Sequence, residues 1–299
     1  MADFSWLGSF PKMDRSDLLE IRKYLDGAYR DFSREYGDSI EAFFDPLLDF
    51  LIWFEKLLVH SPWWAVLIAI TGLVYLASRS WKMSLSVVVA FLLIGYLGMW
   101  QDTMRTLSII TVCTLLAIVL GVPIGIMMAR SNRAQAVVTP VLDIMQTMPA
   151  FVYLIPVVML LGIGKIPGVI AVVIYAIPPV IRLTNLGIRL VDKEVLEAAT
   201  AYGATPMQRL LGVQLPLAGP TIMAGINQTI MMALAMVVIA SMIGVKGLGQ
   251  PVLKSITNQY FTLGLFNGFA IMVLAIIFDR VSQAYAKRSQ RFIQGGHNG

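Results

Sequence analysis

Seven stretches of this chain are long and apolar enough to cross a hydrocarbon core, which takes about 20 residues of helix and about 17 at the least. They lie near 63 to 79, 83 to 100, 106 to 129, 139 to 162, 166 to 183, 218 to 243 and 262 to 282. A segment in lipid has no water to bond its backbone, so it must close its hydrogen bonds within itself as a helix. The 299 residues are 57% hydrophobic and only 14% charged, far from the balance of a soluble domain. The expectation is an all-α membrane protein, a polytopic helical bundle of about seven transmembrane helices. Trp63, Trp64, Trp81 and Trp100 fall at the ends of the first two runs, where an indole prefers the headgroup region.

Residues 1–62 differ from everything after them. They hold twelve of the eighteen acidic residues and seven of the twenty-three basic ones, and lack the basic start, apolar centre and small-residue cleavage site of a signal peptide. This polar extension is therefore expected to remain on the mature protein. Within it, Ile40 to Val59 reads as an amphipathic interfacial helix. Glu41, Asp45, Asp49 and Lys56 share one face, and Phe44, Leu47, Leu48, Leu51, Phe54 and Leu58 share the other. As an eighth span it would place Asp49 or Glu55 in lipid, where an acid at the helix centre costs roughly 2.5–3.5 kcal/mol.

Between the two apolar halves lies a polar island, Glu197 to Pro216, reading EAATAYGATPMQRLLGVQLP. Asp192 can cap a helix that Gly203 stops, and Thr205, Pro206 and Gln208 form a capping box for a second short helix. The unit is helix, glycine hinge, helix. Ala198 and Ala199 keep the first helix slim, so another protein can approach its backbone while Glu197 offers one directed charge. With this island inside the cell, its side carries Arg79, Lys82, Arg130, Arg133, Arg182, Arg189, Lys193, Arg209, Arg280, Lys287, Arg288 and Arg291. The short loops opposite carry Arg105, Lys165, Lys246 and Lys254. That asymmetry puts the C-terminus inside and, with seven spans, the N-terminus outside.

The island resembles the cytoplasmic loop of permease subunits in binding-protein-dependent ABC importers. The likeness rests on Glu197, Ala198, Ala199 and Gly203, then Val213 and the pair Leu215 and Pro216; the family usually has isoleucine where this chain has Val213. The resemblance implies that these residues form a coupling helix that docks on a separate ATPase subunit. Three further runs, MQTMPAFVYLIPVVMLLGIG, AIPPVIRLTNLGIR and Gln214 to Gln250, are similar to permeases of the glycine betaine/proline type. It implies a type-1 ABC importer permease fold with an N-terminal extension at 1–62, two accessory helices at 63–100, a core at 101–283 containing the coupling loop at 190–217, and a basic tail at 284–299. Implied partners are an ABC ATPase subunit, an extracytoplasmic substrate-binding protein, a second copy of this chain and the lipid bilayer. No cofactor is expected on this chain; ATP and Mg belong to the ATPase. The implied cargo is glycine betaine or a related compatible solute such as proline, choline, carnitine or trimethylamine N-oxide.

Proline and glycine break up the third to fifth runs: Pro123, Gly125, Pro149, Pro156, Gly162, Gly164, Pro167, Gly168, Pro178 and Pro179. They can kink spans around a pathway, or simply admit close helix contact. Polar groups in apolar runs are the candidate translocation path: Gln146 beside Pro149, Asn185, Asn227 and Gln228. An amide in hydrocarbon wants a partner or a wet cavity. Asp143 and Asp279, near inner ends, read as anchors for Arg130, Arg182 or Arg280. The glycines of Ser241 to Gln250 read as a tight turn, because no strand precedes them and no Lys-Ser/Thr pair follows. Cys113, the only cysteine, excludes a disulfide within the chain, and His60 and His297 make no metal cluster. The net charge of +5 is spread over loop ends with no basic aromatic stripe, against nucleic acid. No nucleophile and base assemble, so the chain reads as no enzyme. An ATP-independent secondary transporter or channel is the rival, disfavoured by the lack of intramembrane carboxylates and of evident inverted repeats.

Overall fold

The computed structural model describes residues 12–295, with side chains through residue 286. The basic residues Lys287, Arg288 and Arg291 and the final His297 lie outside the described side chains. Every described regular element is helical. Helix α1 (Arg15–His60) precedes α2 (Trp63–Ser78), α3 (Trp81–Tyr96), α4 (Trp100–Arg130), α5 (Asn132–Thr147), α6 (Ala150–Leu161), α7 (Lys165–Ala176) and α8 (Pro178–Arg189). After a loop come α9 (Lys193–Ala201), α10 (Pro206–Arg209), α11 (Leu215–Ala240), α12 (Gly249–Asn258) and α13 (Phe261–Gly295).

All seven apolar runs fall on helices, but among the described residues length and apolarity support four crossings, or up to six with each bent pair counted as one, against the expected seven. Four helical stretches are long and apolar enough to span singly: Trp100–Arg130, Lys165–Arg189, Pro206–Ile243 and Phe261–Ala286. The run at 139 to 162 is broken into α5 and α6, which meet at 100°. The cause is local: Pro149 forces the residue before it out of the helical region, and Met148 is extended at φ −69°, ψ 133°. The Tyr153 hydroxyl donates to the Met145 carbonyl across the bend, satisfying a group the end of α5 leaves open. Helices α2 and α3 have 16 residues each, ~24 Å at 1.5 Å per residue, short of a ~30 Å core.

The bent pair still traverses the bundle. Glu55 lies 2.5 Å from the Lys165 ammonium and 3.8 Å from Arg105, which brings the starts of α4 and α7 to one end. The Leu248 amide donates to Thr106 Oγ1 at 2.9 Å, placing the loop after α11 at that end too. Since α4 ends at the opposite pole and α7 begins at this one, α5 and α6 together make one broken crossing.

The amphipathic stretch at 40 to 59 is nearly the C-terminal half of the 46-residue α1, and the helix runs 25 residues before it. The expected faces hold: Phe44, Leu47, Leu48, Leu51, Phe54 and Leu58 are buried or half-buried, while Glu41, Asp45, Asp49 and Lys56 are exposed. The apolar face packs on the bundle, chiefly on α4 and α6, and α1 turns from α2 by 111°. Tyr29 donates to the Pro156 carbonyl, and Ser33 to the Met159 and Leu160 carbonyls at 3.2 and 3.4 Å. The Met159 and Leu160 carbonyls lie in the C-terminal turn of α6, where the helix supplies no partner.

One large core joins α1, α3, α4, α7, α11 and α13 through Leu51, Phe91, Ile110, Val172, Met236 and Leu274. Exposed apolar side chains such as Ile68, Leu73 and Leu76 cover the outside, the pattern of a protein solvated by lipid. Glycines decide the closest contacts. A Cβ on Gly125 would lie 2.7 Å from the Ile181 carbonyl, and one on Gly225 would lie 3.2 Å from the Pro179 carbonyl. Of the two uses for these residues, close packing of α4, α8 and α11 is the one realised at Gly125 and Gly225; kinking is realised at Pro149.

Candidate functional site

The loop between α8 and α11 has the geometry its residues dictate. Asp192 Oδ1 accepts the Glu194 amide at 2.9 Å and starts α9. The helix stops at Gly203, whose φ of +79° is strained for any residue with a Cβ. The Ala204 amide then bonds the Ala199 carbonyl at 3.1 Å and the Gly203 amide bonds Thr200 at 2.9 Å, a Schellman stop. Next, the Thr205 amide donates to Gln208 Oε1 at 2.8 Å, and the Gln208 amide to Thr205 Oγ1 at 3.4 Å, completing the capping box. Arg209 Nη1 reaches Thr200 Oγ1 at 3.1 Å and ties the two helices into one elbow.

The second helix differs from the expected short piece. From Pro206 it continues without interruption into α11, through a wide π-type turn at Leu210–Gln214. Pro216 has no N–H for the Gly212 carbonyl one turn earlier, so the ladder loosens there instead of ending. Val213 sits in that wide turn, and Leu215 and Pro216 open α11. The elbow is thus the head of a spanning helix.

Its surface is open. No residue of α9 is buried; Glu197 and Ala198 are exposed, Ala199 is half-buried, and Tyr202 is 94% exposed. Val195, Met207 and Leu211 are exposed alongside, an apolar fringe on a polar knob. Glu197 makes no ion pair among the described residues. The base is fixed: Val191 and Leu210 are buried, and Leu210 packs with Ile188 and Ala218 against Ile126 and Ala129 of α4.

The four candidate amides fall into two groups. Asn185 accepts from Arg189 Nε at 3.0 Å, and Arg189 also donates to the Met128 carbonyl at 2.8 Å, clamping α8 on α4. Asn227 donates to Asp279 Oδ1 at 2.8 Å and accepts from Ser282 at 2.6 Å, clamping α11 on α13. Both are occupied in helix ties. Gln146 and Gln228 are exposed, as is Pro149. Gln228 shares its open face with Ala224, Met231 and Ala235, three or four residues apart along α11. No hydrogen bond joins any two of the four amides among the described residues. Asp143 pairs with Arg182 as an anchor, whereas Asp279 is held by Asn227 and Gln283 in place of an arginine. The glycine-rich turn packs tightly: a Cβ on Gly247 would lie 2.5 Å from Thr106 Oγ1.

Sequence reasoning missed the Glu55, Arg105 and Lys165 cluster and the Arg189 clamp. The signal for the first was present in the two isolated cations at the end opposite the elbow and in one acid within an apolar helix face. Which face meets which cation is set only by packing. Among the described residues no group of His, Cys, Asp and Glu could hold a metal.

Residues 121–291 match the family described as binding-protein-dependent transport system inner membrane component. The chain is 49% identical over 231 residues to the glycine betaine/carnitine transport permease protein GbuB of Listeria monocytogenes, covering 77% of this chain and 82% of that one. It is 48% identical to the glycine betaine/proline betaine transport system permease protein ProW of Escherichia coli, covering 79% of this chain and 67% of that one. With the glycine betaine transport system permease protein OpuAB of Bacillus subtilis it shares 42% identity, over 91% of this chain and 96% of that one. In fold it is similar to the inward-facing MetNI methionine ABC transporter, at a TM-score of 0.57 and 20% identity, over 62% of this chain and 93% of that one.

Proposed function

The chain belongs to the family of binding-protein-dependent transport system inner membrane components, and on that premise we propose that it is the permease subunit of an ATP-driven importer of glycine betaine or a related compatible solute. It is a multi-pass membrane protein of the type-1 importer permease fold. The solute class rests on relatives named for glycine betaine, proline betaine and carnitine, and on a more distant one, 36% identical, named for trimethylamine N-oxide.

The observation that carries the mechanism is the rigid elbow at Glu197. It is capped at each helix end, open on its outer surface and continuous with α11. In our reading a separate ATPase subunit grips Glu197, Ala198 and Ala199, with Gly203 fixing the angle of the elbow. Closure of the ATPase on ATP then moves the elbow, and α11 carries the movement into the membrane because Val213, Leu215 and Pro216 form no break. Gln228, with Gln146 and Pro149 at the bend of α5 and α6, lines the path. A cation shielded by methyl groups needs no counter-charge there, and neutral amides suit it. The elbow and C-terminus face the cytoplasm and the N-terminus the exterior, where a substrate-binding protein delivers the solute to a pair of these chains. ATP and Mg reside on the ATPase.

Replacing Gly203 with Pro tests the coupling role. Proline cannot adopt φ +79° and lacks the amide that closes on Thr200, so the elbow must reshape while the spans stay. Membrane insertion is expected to persist and solute-stimulated ATP hydrolysis in the assembled complex to disappear. Unchanged stimulation would refute the role.

A further inference from the structure

We propose that α2, α4 and α13 hold one anionic phospholipid, its acyl chain between the helices and its headgroup on Lys82 and Arg280. The proposal rests on the chain being a membrane protein and is independent of the importer assignment. An apolar groove of about 710 Å³ runs between the end of α1 and these three helices, a volume within the ~300–1,000 Å³ usual for small-molecule sites. Phe54, Ala65, Ala69, Ala77, Ile277 and Phe278 are on its walls. The Thr111 hydroxyl in the wall is already bonded to the Leu107 carbonyl at 2.7 Å. From Ala65 to Ala77 the groove follows α2 for ~18 Å, most of the ~24 Å of that helix and long enough to take an extended acyl chain.

At the elbow end a second hollow of about 380 Å³ adjoins it, and Ile277 lines both. That hollow carries Ser80, Lys82 and Arg280. Lys82 and Arg280 are exposed, and neither meets a carboxylate among the described residues. An apolar slot long enough for an acyl chain, ending at two unpaired cations on different helices, is complementary to an acyl chain joined to a phosphate. A second copy docked through the same patch would bring like charges together, so lipid is the better occupant.

Photolabelling in nanodiscs tests this. The complex containing this chain is reconstituted in phosphatidylcholine doped with phosphatidylglycerol or phosphatidylcholine bearing the same diazirine acyl chain, and label on the facing walls of α2 and α13 is quantified. Phosphatidylglycerol is expected to label them more strongly, by about fivefold for each cation engaged. The Lys82→Gln/Arg280→Gln variant should bring the two lipids to parity, and each single change should remove part of the excess if the double variant does not assemble. Ala69→Phe, which fills the slot, should reduce labelling by both lipids. Equal labelling of the unaltered complex overturns the proposal. Loss of label to added inorganic phosphate does so too, since the cations then read a free anion, as does a cross-link from a second copy in the groove.

Discussion

At the scale of single residues, two adjacent amides on α11 have opposite surroundings. Asn227 spends both ends of its side chain on Asp279 and Ser282, while Gln228 faces outward. Asn227→Ala is expected to lower stability by about 1.5–3 kcal/mol, the range for a hydrogen bond to a charged group, as read by the thermal midpoint in detergent. Gln228→Ala should leave that midpoint in place and alter solute uptake. An unchanged midpoint in Asn227→Ala would mean that the tie to α13 is dispensable. Gly168 makes a second case: a Cβ there would lie 2.1 Å from Val245 Cγ2, and Val245 is buried. Gly168→Ala should cost about 1–3 kcal/mol by overpacking, and Val245→Ala in the same chain should return part of it. Both glycine and amide were visible in the sequence, but the identity of the neighbour was not.

At the scale of elements, α1 is bound to the bundle by charge as well as by its apolar face. The Glu55 side chain is 13% exposed, with Lys165 at 25% and Arg105 at 29%. Removing the acid leaves the partly buried Lys165 ammonium without a carboxylate, while Arg105 keeps Asp102 at 3.0 Å. Glu55→Ala is therefore expected to cost about 1.5–3 kcal/mol and to speed protease cleavage within α1, and cleavage at the original rate would show that the apolar face alone holds the helix. At the elbow, Thr205→Ala removes one arm of the capping box, worth about 1 kcal/mol. The elbow is exposed, so the loss should appear as faster amide exchange at 207–209 and not in the global midpoint. The caps were legible because each depends on residues three or four positions apart. The unbroken passage from Pro206 into α11 was not, because whether Pro216 stops a helix or only widens a turn depends on the packing of Leu210 and Ala218 on α4.

At the scale of the whole molecule, the two poles differ in charge and in what they are built from. One pole gathers Glu55, Arg105, Lys165 and the Gly247 turn, and the other gathers the Arg189 clamp, the Asp143 pair and the elbow. Cys113 is buried, which makes the chain a clean background for labelling. A cysteine at Tyr202 should react with an impermeant reagent only after cells are opened, and one at Lys254 should react in intact cells; the reverse pattern would invert the orientation. The number of apolar runs, the faces of α1, the stops and caps of the elbow and the turn at Gly247 followed from the sequence alone, because each is a property of neighbours along the chain. The 100° bend was half legible, since Pro149 marks its place but not its angle. Tertiary structure alone decided which cations Glu55 meets, that Asn185 and Asn227 serve as ties, and that Gly125 and Gly225 serve contact more than flexibility. Those outcomes join residues tens to hundreds of positions apart, and a linear pattern does not encode which faces of separate helices come to share one interior.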